Sequence, residues 1–427
     1  MSNGKSVHAD GIEALQTELV AAARFQDAYD LNTINLIAPA SPTPYEYSDK
    51  LPLRHNAITE GLLGKRPYAG AEGFNRIETV AVEAAKLLYG AEHANVQPHS
   101  VSQANQAAYQ AVLKPGDPVL AMRFDAGGHL THGLGKNFSG LLYDFDFYGL
   151  DSEGIIDYAE IERKAAENQP KLILCGASSY PREIDFTRLA AIARGVGAYL
   201  MGDLSHPAGL IAAGRFPQPF PDCDIVTLTP DKTLLGPHGG IIMCKDELAA
   251  KIDSAVHPGV QSSVPLRRIY ATAQCLIGAL KPEFREYIDR VLSNMKALEA
   301  VFGEYPGLMV TGGSSTHLMV LDTYNTFGLT GKDAETVLED IGILTNRQVI
   351  PGETLKPYVA SGIRLGTSWI TARGYSEAET ATIARAIVTT LQDPENLELR
   401  ESTKAELAQL LTVVRDNDVW HGEVSTV

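Results

Sequence analysis

The chain has 427 residues, of which 44% are hydrophobic and 21% charged, ordinary values for a globular enzyme long enough to form more than one domain. Its formal net charge of −16 excludes a protein that tracks nucleic-acid phosphates, and it disfavours docking on an anionic membrane. No apolar run approaches the ~18 residues of a membrane-spanning helix.

The opening MSNGKSVHADGIEALQ has neither an apolar signal core nor a cleavage motif. Cys175, Cys223, Cys244 and Cys275 are far apart, and read as buried reduced thiols. Both features predict a cytoplasmic protein.

Residues 11–29 carry a helical apolar pattern, with Ile12, Leu15, Leu19, Val20 and Ala23 on one side. A proline-rich loop covers 38–52, and a second helix is predicted over 77–89. Short apolar runs follow in series: AMRF, YDFDFYGL, KLILCGAS, AYLMGDLS, DIVTLTP and GGIIMCK. Helix-like segments at 158–168 and 187–195 separate several of them. This alternation predicts a mainly parallel sheet with helices on both faces. From about residue 282 a long amphipathic helix, 283–302, leads into LMVTGG, HLMVLDT and IRLGTSWIT. Helices are predicted around 333–341 and 376–391, so this part reads as a smaller α+β unit. The final dozen residues, DNDVWHGEVSTV, read as a loose tail.

Two adjacent runs carry the chemistry. AYLMGDLSHPAGLIAAG is a buried strand ending in Asp203, with His206 just beyond it; ligands of open α/β sheets bind at that end. A helix-capping aspartate is the plain alternative. DIVTLTPDKTLLGPHGG ends its strand near Lys232, between Asp231 and a turn crowded with glycines. A lysine at a strand end is usually a solvated group. Confinement of this kind suits a Schiff-base lysine, whose amine must be positioned and able to lose its proton. Asp203 on the neighbouring strand is placed to keep a pyridine nitrogen protonated.

A phosphate site is available at NVQPHSVSQANQAAY, a strand, a polar turn and a helix start. Ser100, Ser102 and the free N–H groups there suit a dianion, a plain serine N-cap being the alternative. His129, in DAGGHLTHG, is placed to lie on a cofactor ring. It also pairs with His132 as in a metal site, but no third or fourth ligand is in view. GLLGKRPYAG lacks the glycine spacing of a nucleotide-binding loop, and no Ser or Thr follows Lys65.

These segments together resemble serine hydroxymethyltransferase from about residue 35 to 410. The stretches that carry the resemblance are EGLLGKRPYAG, ANVQPHSVSQAN, GGHLTHG, DLSHPAGLIAAG, DKTLLGPHGG, LTGKDAE and SGIRLGTSWITARG. The resemblance implies a fold-type-I α/β enzyme that uses pyridoxal 5'-phosphate (PLP). It implies a seven-stranded, mainly parallel sheet in a large domain, a smaller C-terminal α+β domain, and a homodimer, or a higher oligomer, with sites at the subunit interface. The divisions are an N-terminal helix and interface arm over 1–55, the PLP-binding domain over 56–281 and the C-terminal domain over 282–427.

Lys232 would hold the cofactor, Asp203 its pyridine nitrogen, and His129 would stack on the ring. His206 would contact the phenolic oxygen, with Ser178 and Thr229 among the cofactor contacts. Ser100, Val101 and Ser102 would form the phosphate loop, with Ser262 and Ser263 reaching it from the partner chain. Arg364 would hold the carboxylate of an amino-acid substrate, while Glu60, Tyr68 and Asp231 would serve the chemistry.

The departures from the family pattern cluster around one pocket. Asp231 stands where the family has histidine, Ile58 and Pro67 where it has tyrosines, and Gln348 where it has asparagine. Pro39-Ala40 replaces a serine–glutamate pair, Val101 replaces a glycine, and Ser262-Ser263 replaces a double glycine. They predict an intact scaffold with a different, folate-independent substrate. The best match is to lincosamide-antibiotic enzymes that process a bulky cysteine S-conjugate, by thiol elimination or by decarboxylating oxidative deamination to an aldehyde. An aldol-type enzyme, either a hydroxymethyltransferase or a threonine aldolase or transaldolase, is the alternative. A third reading is an inactive homologue that acts as a binding protein.

Overall fold

The computed structural model describes residues 9–42 and 60–416. Its strands, in chain order, are β1 (Ile34–Asn35), β2 (His93–Asn95), β3 (Pro118–Met122), β4 (Asp144–Tyr148), β5 (Leu172–Cys175) and β6 (Tyr199–Asp203). Then come β7 (Ile225–Leu228), β8 (Ile241–Cys244), β9 (Leu318–Asp322), β10 (Ile343–Leu344), β11 (Asn346–Gln348) and β12 (Gly362–Gly366).

Seven of them form one sheet in the order β2-β8-β7-β6-β5-β3-β4. Only β8 runs against its neighbours; every other pairing in this sheet is parallel. Every residue of β5, β7 and β8 is buried, which is why these strands read as unbroken apolar runs rather than alternating ones. The helices that cover the sheet begin and end on local signals. Asp157 and Asp185 accept backbone N–H bonds at the starts of Tyr158–Asn168 and Phe186–Val196. Gly90 and Gly197, both with φ of +69°, close Glu72–Tyr89 and Phe186–Val196 in the left-handed conformation.

The second sheet is antiparallel, in the order β11-β12-β9, and β1 pairs in parallel with β10. Ile34 and Leu36 therefore pack in a second core with Met319, Leu321, Ile343, Ile363 and Ile387. The helix Pro282–Phe302 serves both cores. Phe284, Tyr287, Ile288 and Val291 lie in the core of the large sheet; Met295, Leu298, Val301 and Phe302 lie in the smaller one.

Two features differ from the sequence reading. LMVTGG forms no strand, only an isolated bridge between Met309 and Leu321, because its two glycines adopt φ of +66° and +146°. The helix Leu397–Asp416 was not anticipated, and it packs on the helix Glu377–Gln392. The C-terminal tail beyond 416 and position 58 lie outside the described residues. Among those described, no helix is long and apolar enough to cross a membrane. All four cysteines are buried and free.

Candidate active site

Parallel pairing places Asp203, the last residue of β6, opposite Thr227 of β7. Lys232 follows β7 directly, so both residues emerge at the carboxyl edge of the sheet. The space for Asp203 depends on Gly176. A Cβ there would lie 1.9 Å from the Asp203 carbonyl oxygen, and its φ of +98° favours glycine in any case.

The Asp203 carboxylate is buried and fully engaged. Oδ2 accepts from Asn105 Nδ2 at 2.8 Å and from His132 Nε2 at 3.1 Å, while Oδ1 accepts from the Ser205 hydroxyl at 2.6 Å. Burial alone raises this carboxyl's pKa. The His132 bond, the charge interactions with His132 and His129, and the Ser205 bond outweigh burial and hold it well below the usual carboxylate range. Asp203 is an anion at any physiological pH.

The surrounding bonds settle the tautomers. His132 Nδ1 accepts from the His129 N–H at 3.2 Å, which leaves its Nε2 to donate to Asp203. His129 Nδ1 lies 2.7 Å from Thr131 Oγ1 and accepts from the Thr131 N–H at 3.2 Å. Burial, only partly opposed by Asp203, pulls His129 down to about 4, so this imidazole is neutral. Asn105 ties the group together. Its Nδ2 also donates to Thr131 Oγ1 at 2.8 Å, and its Oδ1 accepts from Thr227 at 2.6 Å.

Lys232 has no hydrogen bond or ion pair at its Nζ among the described residues. Burial pulls its amine down to about 8; Asp203 and Asp231 oppose that shift and Arg364 adds to it. Asp231 itself is occupied elsewhere, accepting from the Thr229 hydroxyl at 2.5 Å and meeting His238 Nδ1 at 2.5 Å. Arg364 projects from β12. It donates to the Ser178 carbonyl at 2.6 Å and to Asn346 Oδ1 at 3.2 Å, and burial lowers it to about 10, still a cation.

His206 stacks on His317 with ring centroids 5.4 Å apart, and its Nδ1 lies 3.2 Å from His317 Nε2. Burial and the charges of Lys232 and Arg364 lower both imidazoles, His317 to about 3. Ser100 caps the helix Val101–Val112, accepting from the Gln103 N–H. Gly240 presses on that helix start, where a Cβ would lie 2.4 Å from the Ser100 carbonyl. Val101 is half-buried there and Ser102 exposed.

Not every predicted residue joins this cluster. Tyr68 donates to Glu60 at 3.2 Å and Glu60 lies 3.7 Å from His257. Among the described residues, neither Glu60 nor Tyr68 bonds to Lys232, Asp203, His129 or Arg364. Ser262 and Ser263 are exposed, with the Ser263 carbonyl 2.9 Å from His99 Nε2. The metal reading needs one correction. The fold does supply a third ligand type beside His129 and His132, namely Asp203, with the three ligand atoms within 4.8 Å of one another. The hydrogen bond from His132 to Asp203 accounts for that grouping without an ion.

The sequence profile of the serine hydroxymethyltransferase family matches residues 16–387. The serine hydroxymethyltransferase of Mycoplasma mycoides is 51% identical over 347 residues, 80% of this chain and 84% of that protein. Those of Mesoplasma florum and Lactobacillus gasseri are 46% and 45% identical, over 83% of this chain and 86% and 87% of their own lengths. The chain belongs to the serine hydroxymethyltransferase family.

It is thus a fold-type-I α/β enzyme, and the family's enzymes use PLP. The donor set fits that cofactor: a buried carboxylate anion, a lysine amine depressed toward neutrality with no bonded partner among the described residues, and a helix N-terminus approached by a glycine turn. In this family member, sequence reading did not single out Asn105, Thr131, Ser205, Thr227 or His317. Asn105 lies in a motif already noted, three residues after Ser102. Thr131 and Ser205 likewise lie in quoted motifs, GGHLTHG and DLSHPAGLIAAG.

Proposed function

We propose that this chain is a PLP-dependent aldol-type enzyme, which cleaves or forms the Cα–Cβ bond of a β-hydroxy L-amino acid. The observation that carries this reading is the joint presence of Lys232, His129 and Arg364, all half-buried, around the buried carboxylate of Asp203. The 45–51% identity to serine hydroxymethyltransferases supports it over a reading restricted to S-conjugates.

In this reading Arg364 binds the substrate carboxylate, a task suited to a guanidinium. Asp203 stays ionised to hold the ring nitrogen's proton, and neutral His129 offers a flat face. His206, Ser178 and Thr229 line the ring, while Ser100, Val101 and Ser102 hold the phosphate. Bound PLP supplies the electron sink for the bond broken at Cα. Glu60, with Tyr68, takes the proton of the β-hydroxyl. Cleavage would then release an aldehyde, and the Lys232 amine, once the substrate amine has displaced it from the cofactor, would carry a proton to Cα to give glycine.

Among the described residues Glu60 and Tyr68 bond to no member of the cluster in their own chain, which supports a homodimer in which each copy completes the other's site. Ser262 and Ser263 would likewise serve the neighbouring phosphate. The division into an arm (1–55), a PLP domain (56–281) and a C-terminal domain (282–427) belongs to the same proposal, with the separate core of the small sheet in its favour.

A second reading, attack on a bulky amino acid such as a cysteine S-conjugate without folate, is favoured by one feature. An open cavity of about 480 Å³ adjoins His129, walled by Phe124, Leu134, Phe147, Val349 and Leu355. One experiment separates the readings. Purified protein with PLP is given β-hydroxy amino acids, serine with tetrahydrofolate, and S-conjugates, and the products are read by mass spectrometry. Glycine with an aldehyde or a folate adduct supports the first reading. A thiol or carbon dioxide from S-conjugates alone would replace it with the second.

A further inference from the structure

We propose that His238 is a positioning residue for the cofactor lysine. It grips Asp231, and through Asp231 it fixes the site of the adjacent Lys232 amine and how firmly PLP is retained. The inference rests on Lys232 being the residue that holds PLP.

The turn after β7 is fastened at several points. The Ser41 hydroxyl donates to the Asp231 carbonyl at 2.6 Å. Gly236 N–H donates to the Pro230 carbonyl at 2.8 Å and Leu235 N–H to the Lys232 carbonyl at 3.0 Å. Leu235 adopts a φ of +62°, a conformation an L-residue keeps only when its surroundings impose it. Gly236 and Gly239 have no room for a side chain, a Cβ falling 2.5 Å from Cys275 Sγ or from Arg268 Nη1.

Lys232 is the exception. Its Nζ has no bonded partner among the described residues, so its place is set by the backbone and by nearby charges. Asp203 and Asp231 attract it; Arg364, His129, His206 and His317 surround it from other elements. Asp203 is pinned by buried donors. Asp231, by contrast, is held by Thr229 on one oxygen and by His238 on the other, each at 2.5 Å. The His238 side chain is 70% exposed, and that of Asp231 only 26%. An imidazole that reaches from solvent to restrain the carboxylate next to the cofactor lysine acts on the site without touching it. Its contribution is modest, because water screens the pair.

The test uses the PLP-loaded protein and the variants H238Q, D231N and H238Q/D231N. Release of PLP is followed by loss of visible absorption on dilution, and the position of the absorption band is recorded. H238Q and D231N should each speed release about threefold, with the double variant no faster than either, as expected for two residues acting as one unit. Both single variants should shift the band, which a merely structural role would not do. Wild-type release from H238Q, or effects that multiply in the double variant, would overturn the inference. A wild-type protein that takes up no PLP would refute the cofactor reading as well, so the two failures are distinguishable.

Discussion

At the scale of single residues, the chemistry depends on two groups pushed in opposite directions from their ordinary states. Burial brings the Lys232 amine to about 8, so in the cofactor-free protein it changes from cation to free base across that pH. Only the free base attacks an aldehyde, so PLP uptake by the cofactor-free protein should rise through pH 8 and level off above it. Asp231 raises the amine, so D231N should move the inflection to lower pH. Stopped-flow absorbance checks this, and an inflection near the ordinary lysine value of about 10.4 would contradict it.

Asp203 works the other way. Its folded pKa lies below the unfolded value of about 3.9, so its contribution to stability is present above that value and disappears as pH falls through the folded pKa. Replacing Asn105 by Ala strips a donor from Asp203 and the acceptor from the buried Thr227 hydroxyl. Chemical denaturation should then show a loss of roughly 1–3 kcal/mol. Lys232 and Asp203 were legible in the sequence because each follows its own apolar run. Asn105, Thr131 and Thr227 were not, because each is an unremarkable polar residue until three separate segments converge.

At the scale of elements, glycines decide how closely strands, turns and helices approach. Gly176 combines positive φ with a Cβ position 1.9 Å from a backbone oxygen, so G176A strains and clashes at once. It should cost roughly 2–4 kcal/mol in unfolding free energy. Gly240 is outside the left-handed region, and its constraint is the Ser100 carbonyl at 2.4 Å. G240A should therefore displace the helix start, weakening the binding of PLP more than that of pyridoxal, which lacks the phosphate. Equal weakening of both, by absorbance titration, would count against a phosphate site there. The sequence shows glycines crowded after Lys232, but not whether each serves torsion or proximity. In this turn proximity dominates, and the one positive φ belongs to Leu235.

At the scale of the whole molecule, a single chain leaves much apolar surface uncovered. Leu15, Leu19 and Phe25 of the first helix are 71%, 72% and 69% exposed. A protein that functions as a dimer should hide such a face, and light scattering should report at least a dimer at working concentrations. A fully active monomer would contradict this. The proposed completion of each site by the other copy has its own check. Mixing E60Q with K232A after subunit exchange should restore about a quarter of wild-type activity, since half the dimers carry one intact site. If Glu60 serves its own chain, the mixture stays inactive.

By itself the sequence determined the class of fold and the family, and it singled out Lys232 as the expected cofactor lysine. Buried parallel strands write themselves as continuous apolar runs, and a lysine confined after one of them is a local feature. The long helix 283–302 was readable from its apolar stripe for the same reason. The tertiary structure decided what depends on distance across the chain. It brought Asn105, His132 and Ser205 onto one carboxylate, made Asp203 a third neighbour of two histidines, and stacked His317 on His206. It also paired Glu60 with Tyr68 and His257, with no bond from either Glu60 or Tyr68 to Lys232 among the described residues. No periodicity encodes such meetings, because they follow from the order in which strands are laid into the sheet.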